Sequence, residues 1–264
     1  MVGHVTAPAA APLGVLPSWV TLVRAPNPGP MTLDGTNTWV LRPTGAERTV
    51  VVDPGPLDEG HLAAIVAEGP VGLILVTHGH PDHVEGLARF RELCPDAAMV
   101  PLAWHNAAIV DQQMTINVTA TPGHTADSVC FLVEVGDERV VLTGDTILGR
   151  GTTVVAHPDG DLADYLESLG RLSELKGVPV LPGHGPALSD CAEAAVFYLE
   201  HRQARLEQVR AAREAGASTA AEVVERVYAD VDRTLWPAAE WSVRAQLAYL
   251  DRESNAEPQR LDPP

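Results

Sequence analysis

The stretch "VTHGHPDHVEGL", Val76–Leu87, places three histidines and an aspartate within six residues: His78, His80, Asp82 and His83. It follows the apolar run "VGLIL" (71–75), which suits a strand buried on both faces. The polar cluster therefore opens a loop at a strand end, where a rigid scaffold presents chemistry. Residues i and i+2 of an extended segment point the same way, so His78 and His80 can reach one ion. Pro81 then starts a helix, and Asp82 and His83 turn away from that line. Helical spacing continues over 83–95 through Val84, Leu87, Phe90 and Leu93 until Pro95 stops it. A single zinc site takes about three protein ligands and a water. Four candidate ligands in six residues already exceed that need.

The same ending recurs along the chain. "VVVD" ends in Asp53, "TATPGH" in His124, "VVLTGD" in Asp145 and "VLPGH" in His184. One histidine after a strand is usually structural; five segments ending in one class of side chain are harder to assign to packing alone. His78, His80, Asp82, His83, His124, Asp145 and His184 make seven ligands. That number suits two divalent ions about 3.5–4 Å apart that share a bridging carboxylate. Imidazole and carboxylate suit zinc first, with Mn2+ or Fe2+ as alternatives.

The bounds agree with an enzyme of modest size. A chain of 264 residues, 45% of them apolar, can form one α/β domain with an appendage. A net charge of −17 argues against tight nonspecific nucleic-acid binding through a basic surface. Three widely spaced cysteines, Cys94, Cys130 and Cys191, suggest neither a disulfide framework nor a cysteine zinc site, and a reducing, cytoplasmic setting fits. Residues 1–17 have no charged leader, their prolines interrupt any apolar run, and they read as a flexible N-terminal segment. No run is long enough for a membrane-spanning helix. Strands are expected at 38–43 and 48–55, a hairpin over 129–145, and a short strand at 178–185. An amphipathic helix is expected over 161–175, capped by Asp161. His4, His61, His105, His157 and His201 read as surface residues. Trp19, Trp39 and Trp104 suit either a cleft wall or packing. Asn37, Thr152 and Thr153 are candidate substrate contacts by loop position.

From residue 189 the pattern is helical. A long helix over 190–214 stops before Gly216. A second, over 218–230, carries a Thr219–Glu222 capping box. A third begins at Pro237 and ends near Tyr249. Three helices on short turns make a helix-turn-helix core, but "DRESNAEPQRLDPP" (251–264) offers no hairpin for a wing. Arg202, Arg205, Arg210 and Arg213 share an arc of the first helix with Leu206 and Val209, so no clean basic stripe forms. Packing or a homodimer is the first role read for this tail; substrate contact comes second and nucleic-acid docking last.

"THGHPDH" resembles the T-H-x-H-x-D-H signature of the metallo-β-lactamase-fold hydrolases, and the remaining ligands follow in that family's order over residues 20–185. The resemblance implies an α+β fold: an αββα sandwich over 18–188, with a small all-α, winged-helix-like domain over 189–264. It implies that His78, His80 and His124 hold one metal, that Asp82, His83 and His184 hold the other, and that Asp145 bridges them. Asp53 orients ligands in such enzymes. Zinc β-lactamases carry cysteine where Asp145 stands, and the diiron members carry glutamate where His80 stands, so both are set aside. "NPGPMTLDGTNT" (27–38) and the helical tail are similar to the β-lactamase-like protein 2 group, which implies endoribonuclease activity on single-stranded RNA. Glyoxalase II thioesterases share the seven ligands and also end in helices. The expected chemistry is hydrolysis by a metal-activated hydroxide, with Asp82 as ligand and proton shuttle. A phosphodiesterase on single-stranded RNA is the first reading. A glyoxalase II-like thioesterase, or another hydrolase of small-molecule esters, is the alternative.

Overall fold

Runs of β-branched and aliphatic residues build two five-stranded sheets in the computed structural model, which describes residues 8–100, 108–111 and 113–256. The first sheet has the order β1 (Val20–Arg24), β2 (Asn37–Leu41), β3 (Thr49–Val52), β4 (Val71–Leu75) and β5 (Ala98–Met99). Helix α1 (Glu59–Ala67) joins β3 to β4, and α2 (Pro81–Val84) and α3 (Leu87–Leu93) follow β4. The second sheet contains β6 (Ala108–Asp111), β7 (Met114–Ala120), β8 (Val129–Val135) and β9 (Glu138–Gly144). After α4 (Leu162–Leu172), β10 (Val180–Pro182) adds to the far side of β9. The tail forms α5 (Cys191–Glu214), α6 (Ala220–Val227) and α7 (Trp236–Ala256).

Side chains alternate across each strand, so the two faces of each sheet feed different cores. Leu41, Val50, Val52, Leu73 and Leu75 meet Ile116, Phe131, Val133 and Leu142 between the sheets. Val40, Val51 and Ile74 turn outward onto Leu62 and Ile65 of α1 and Phe90 of α3. Val141 and Val180 turn outward from the second sheet onto Tyr165 and Leu169 of α4 and Tyr198 of α5. These layers are the expected αββα sandwich. Each fully buried aliphatic side chain contributes roughly 1.5–3 kcal/mol. Parallel pairs β3–β4 and β9–β10 send their C-terminal ends to one edge of the sandwich, which sets the site there.

Several expectations need correction. The helix read over 83–95 is α2 and α3. Gly86 sits at the break, where a Cβ would lie 2.7 Å from the Pro56 carbonyl oxygen. The third tail helix runs past Tyr249 to Ala256 and starts at Trp236, one residue before Pro237. The described part of the N-terminal segment is tied down: Leu13 N donates to Ala187 O at 2.9 Å, and Ser189 N donates to Ala11 O at 2.8 Å. Trp19 and Trp39 belong to the core between the sheets. His61, expected at the surface, is buried with Nε2 at 3.0 Å from Thr38 Oγ1. His157 is exposed, as expected. His4, Trp104 and His105 fall outside the described residues. The hairpin β8–β9, the Asp161 cap and the Thr219–Glu222 capping box are present. Among the described residues after 189 there is no strand, and no described helix is long and apolar enough to cross a membrane.

Candidate metal centre

Each loop that carries a candidate ligand leaves the same sheet edge. His78 and His80 follow β4, and Asp82 and His83 lie on α2. His124 follows β7, Asp145 follows β9 and His184 follows β10. Two hydrogen bonds tie the sheets together here: Val129 N donates to Thr77 O at 2.8 Å, and Asn37 N donates to Gly183 O at 2.8 Å. Gly144 adopts φ +48°, and a Cβ there would lie 2.5 Å from Thr77 Oγ1, so only glycine lets β9 approach this closely.

The side chains converge as two groups. His78, His80, His124 and Asp145 form one; Asp82, His83 and His184 form the other, with ligand atoms in each group within 4.8 Å of one another. His80 Nδ1 stands 3.1 Å from His78 Nε2 and 3.0 Å from His124 Nε2. Nitrogens on one tetrahedral zinc at ~2.0–2.1 Å stand about 3.3–3.4 Å apart, so these two separations come close to those of a zinc site. Asp145 spans both groups. Its Oδ2 lies 3.6 Å from His124 Nε2, and its Oδ1 lies 3.4 Å from His83 Nε2 and 3.3 Å from His184 Nε2. That Oδ1 is buried without a hydrogen-bond partner, an orphan that a shared cation would satisfy.

The surrounding hydrogen bonds set each tautomer. His83 Nδ1 donates to Asp53 Oδ2 at 2.8 Å, and His124 Nδ1 donates to Val154 O at 2.7 Å. Thr77 Oγ1 donates to Asp53 Oδ2 at 2.7 Å, so it accepts from His78 Nδ1 at 3.0 Å. His184 Nδ1 faces Gly35 O at 3.4 Å. With Nδ1 so engaged, four imidazoles turn Nε2 toward the centre, the nitrogen on which a metal would replace a proton. Asp53, at φ +54°, also accepts from Thr77 N at 2.7 Å, so one buried carboxylate steers both groups.

The electrostatics fit a cationic occupant. Burial works to raise the Asp145 and Asp82 pKa values, but His184 and His83 outweigh it and hold both carboxyls well below the ordinary range. Burial works against charge on His83 and His184, yet for His83 the charges of Asp53 and Asp145 win, and for His184 Asp145 and Asp82 do, reaching about 9. Burial dominates His78 and depresses it. Acidic groups thus surround nitrogens that hold either protons or divalent ions.

The candidate substrate contacts divide. Asn37 is fully buried in β2, and its Nδ2 donates to Pro182 O at 3.0 Å and Gly185 O at 2.8 Å. It holds the His184 loop and faces no opening. Thr152 and Thr153 line a cavity of about 170 Å³ whose lining also includes His124 and Asp145. Thr153 Oγ1 also donates to Asp145 O at 2.6 Å. Met31, Leu33 and Leu148 line the same cavity, as do Arg202 and Arg205 of α5. Sequence reasoning named Arg202 and Arg205 and gave substrate contact as a second role for the tail, but it assigned no role to Thr36 or Thr77. The only signal was the threonine flanking the histidine cluster.

A family model for the metallo-beta-lactamase superfamily matches residues 31–118 and 98–184, and one for the beta-lactamase associated winged helix domain matches 219–257. The Beta-lactamase-like protein 2 homolog of Caenorhabditis elegans is 32% identical over 268 residues, covering 93% of this chain and 88% of the relative. The atrochrysone carboxyl ACP thioesterase of Aspergillus fumigatus is 34% identical over 243 residues, 81% of this chain and 75% of the relative. The crystal structure of a beta-lactamase domain protein from Burkholderia ambifaria has a TM-score of 0.73 at 24% identity, covering 95% of this chain and 92% of that one, a likeness of fold.

Proposed function

The chain belongs to the metallo-beta-lactamase superfamily, with that family's associated winged helix domain in its tail, and on that premise we propose that it hydrolyses a small acyl ester or thioester. The observation that carries this reading is the cavity lined by His124 and Asp145 together with Pro30, Met31, Leu33 and Leu148. At about 170 Å³ it is close to the ~150 Å³ apolar cavity that holds benzene. The enclosed space has room for a short acyl chain or one ring.

Two divalent ions held by the seven ligands, zinc first, would supply an activated water and polarise the scissile oxygen. The protein's own part is position and proton traffic. Asp82 Oδ2 stands 3.1 Å from His184 Nε2 and receives the Thr36 hydroxyl at 3.2 Å. The Asp82 side chain is 26% exposed against 12% for Asp145, so Asp82 has the free face that can orient a water and take its proton. Thr153 holds the backbone of Asp145, and Met31, Leu33 and Leu148 offer apolar contact to an acyl chain.

Cleavage of single-stranded RNA is the second reading, favoured by similarity to the Beta-lactamase-like protein 2 homolog across most of the chain. The tail's arginines weigh against it. Arg202 and Arg205 are buried, and Arg210 and Arg213 are paired with Glu207, Glu253 and Asp251. The deciding assay compares zinc- and manganese-loaded protein on p-nitrophenyl valerate, an S-lactoyl thiol conjugate and labelled single-stranded RNA. Acyl turnover that Asp145→Ala abolishes is expected. RNA cleavage without acyl turnover would overturn the acyl reading.

A further inference from the structure

Arg202 and Arg205 stand one helical turn apart on α5, 4% and 2% exposed, and both line the cavity that His124 and Asp145 also line. Fully buried arginine is rare without a carboxylate partner. Here the oxygen partners are neutral. Arg202 donates to Thr153 O, and Arg205 Nη1 donates to Gln208 Oε1 at 3.0 Å and Val227 O at 3.1 Å. Neither arginine has an ion pair among the described residues, and the Nε of each is buried without a partner. The guanidinium of Arg202 lies 5.2 Å from the Tyr165 ring centre, and that of Arg205 4.6 Å from Tyr228. Ring faces attract a cation but do not neutralise it. A buried guanidinium without a counter-charge is costly, and an anion that joined the two would offset that cost.

We propose that Arg202 and Arg205 form an anion subsite that takes a carboxylate at the far end of the acyl substrate. The substrate class is then a short acyl ester or thioester whose distal end carries a carboxylate. Its aliphatic middle lies along Met31, Leu33 and Leu148, and its scissile carbonyl lies at the Asp145 end. A carboxylate matches the planar fork of guanidinium and fits the cavity's size. The helical tail therefore completes the substrate pocket. The Arg202–Thr153–Asp145 chain of hydrogen bonds also links the anion end to the backbone of the bridging carboxylate.

The position of the scissile bond rests on the acyl-hydrolase reading; the anion subsite does not. The test uses two esters that differ at one end, p-nitrophenyl glutarate monoester and p-nitrophenyl valerate, where a carboxylate replaces a methyl. Metal-loaded protein should favour the glutarate ester in kcat/KM by roughly ten- to hundredfold, the worth of hydrogen bonds to a charged group. The preference should appear in KM. In parallel, calorimetry should show free glutarate binding at least about tenfold tighter than free valerate, since both offer one carboxylate to the metals. Arg205→Lys and Arg205→Met should each shrink both ratios, Met more than Lys. Equal kcat/KM and equal affinity for the two partners in the unaltered protein would overturn the subsite, and that arm needs no variant to fold. Tighter glutarate binding with no ester turnover would uphold the subsite while sinking the acyl-hydrolase reading.

Discussion

Asp53 accepts from Thr77 N, Thr77 Oγ1 and His83 Nδ1, so every group facing its carboxylate is a donor. Asparagine keeps the size but points an NH2 at one of them. Relief comes by moving the His83 proton to Nε2, on the metal side, where it blocks coordination. Asp53→Asn should therefore lower metal affinity about 10–100-fold, read by competition with a chelator. Unchanged affinity would show that Asp53 does not set the tautomer. The metal-free chain also makes a pH prediction. His184 titrates near 9, above its ordinary 6.5, because Asp145 and Asp82 outweigh its burial. Its proton stabilises the metal-free fold fully below pH 6.5, and that contribution fades as pH rises through about 9. An incoming ion must displace that proton, so metal affinity should rise with pH between about 7 and 9. Calorimetry at pH 7 in buffers of different ionisation enthalpy should register net proton release; no release would contradict the assignment. The seven side chains that the structure gathers into two groups were legible as candidate ligands because they stand at or just beyond strand ends. Asn37 and His61 were not, because their hydrogen bonds reach Gly185 and Thr38, partners that only the tertiary fold brings near.

Among the elements, α5 does more than begin the tail. The hydroxyl of its fully buried Tyr198 accepts from Leu148 N at 3.0 Å, which pins the loop between Asp145 and Thr153. Tyr198→Phe keeps the ring but strands a buried N–H, so unfolding in denaturant should come about 1–3 kcal/mol easier with an unchanged slope. A loss below ~0.5 kcal/mol would mean that water reaches Leu148 N. Elements with a cap and a clean period were legible: α4 behind Asp161 and α6 in its capping box. Helix α1 was not, because "EGHLAAIVA" is apolar nearly all round and shows no stripe. The β7 alternation, Met114, Ile116 and Val118 inward, carried a period-two signal that passed unread. The end of α7 was misplaced because "DRESNA" is polar but contains no breaker, and the first proline stands at 258.

At the scale of the molecule, a change from mixed to helical pattern marks residue 189, yet the packing crosses that line. One cluster runs from Val141 and Val180 of the second sheet through Tyr165 and Leu169 of α4 to Cys191, Ala195 and Tyr198 of α5. It continues through Val209 to Val223 of α6 and Val243 of α7. Removing the tail after Leu188 would uncover the outer face of α4 and β10, an apolar area that α5 now hides. Such a face on a monomer promotes association. The cut also removes Arg202, which holds Thr153, and Tyr198, which holds Leu148, so the Asp145 loop loses two of its ties. A 1–188 fragment should therefore aggregate or bind a hydrophobic dye, and any soluble fraction should hold metal more weakly than the whole chain. Both are measurable by light scattering and metal analysis on one preparation. A soluble, monomeric fragment with full metal affinity and undiminished ester turnover would instead show that the tail is an independent attachment. It would also remove the reason to place a substrate's far end against α5.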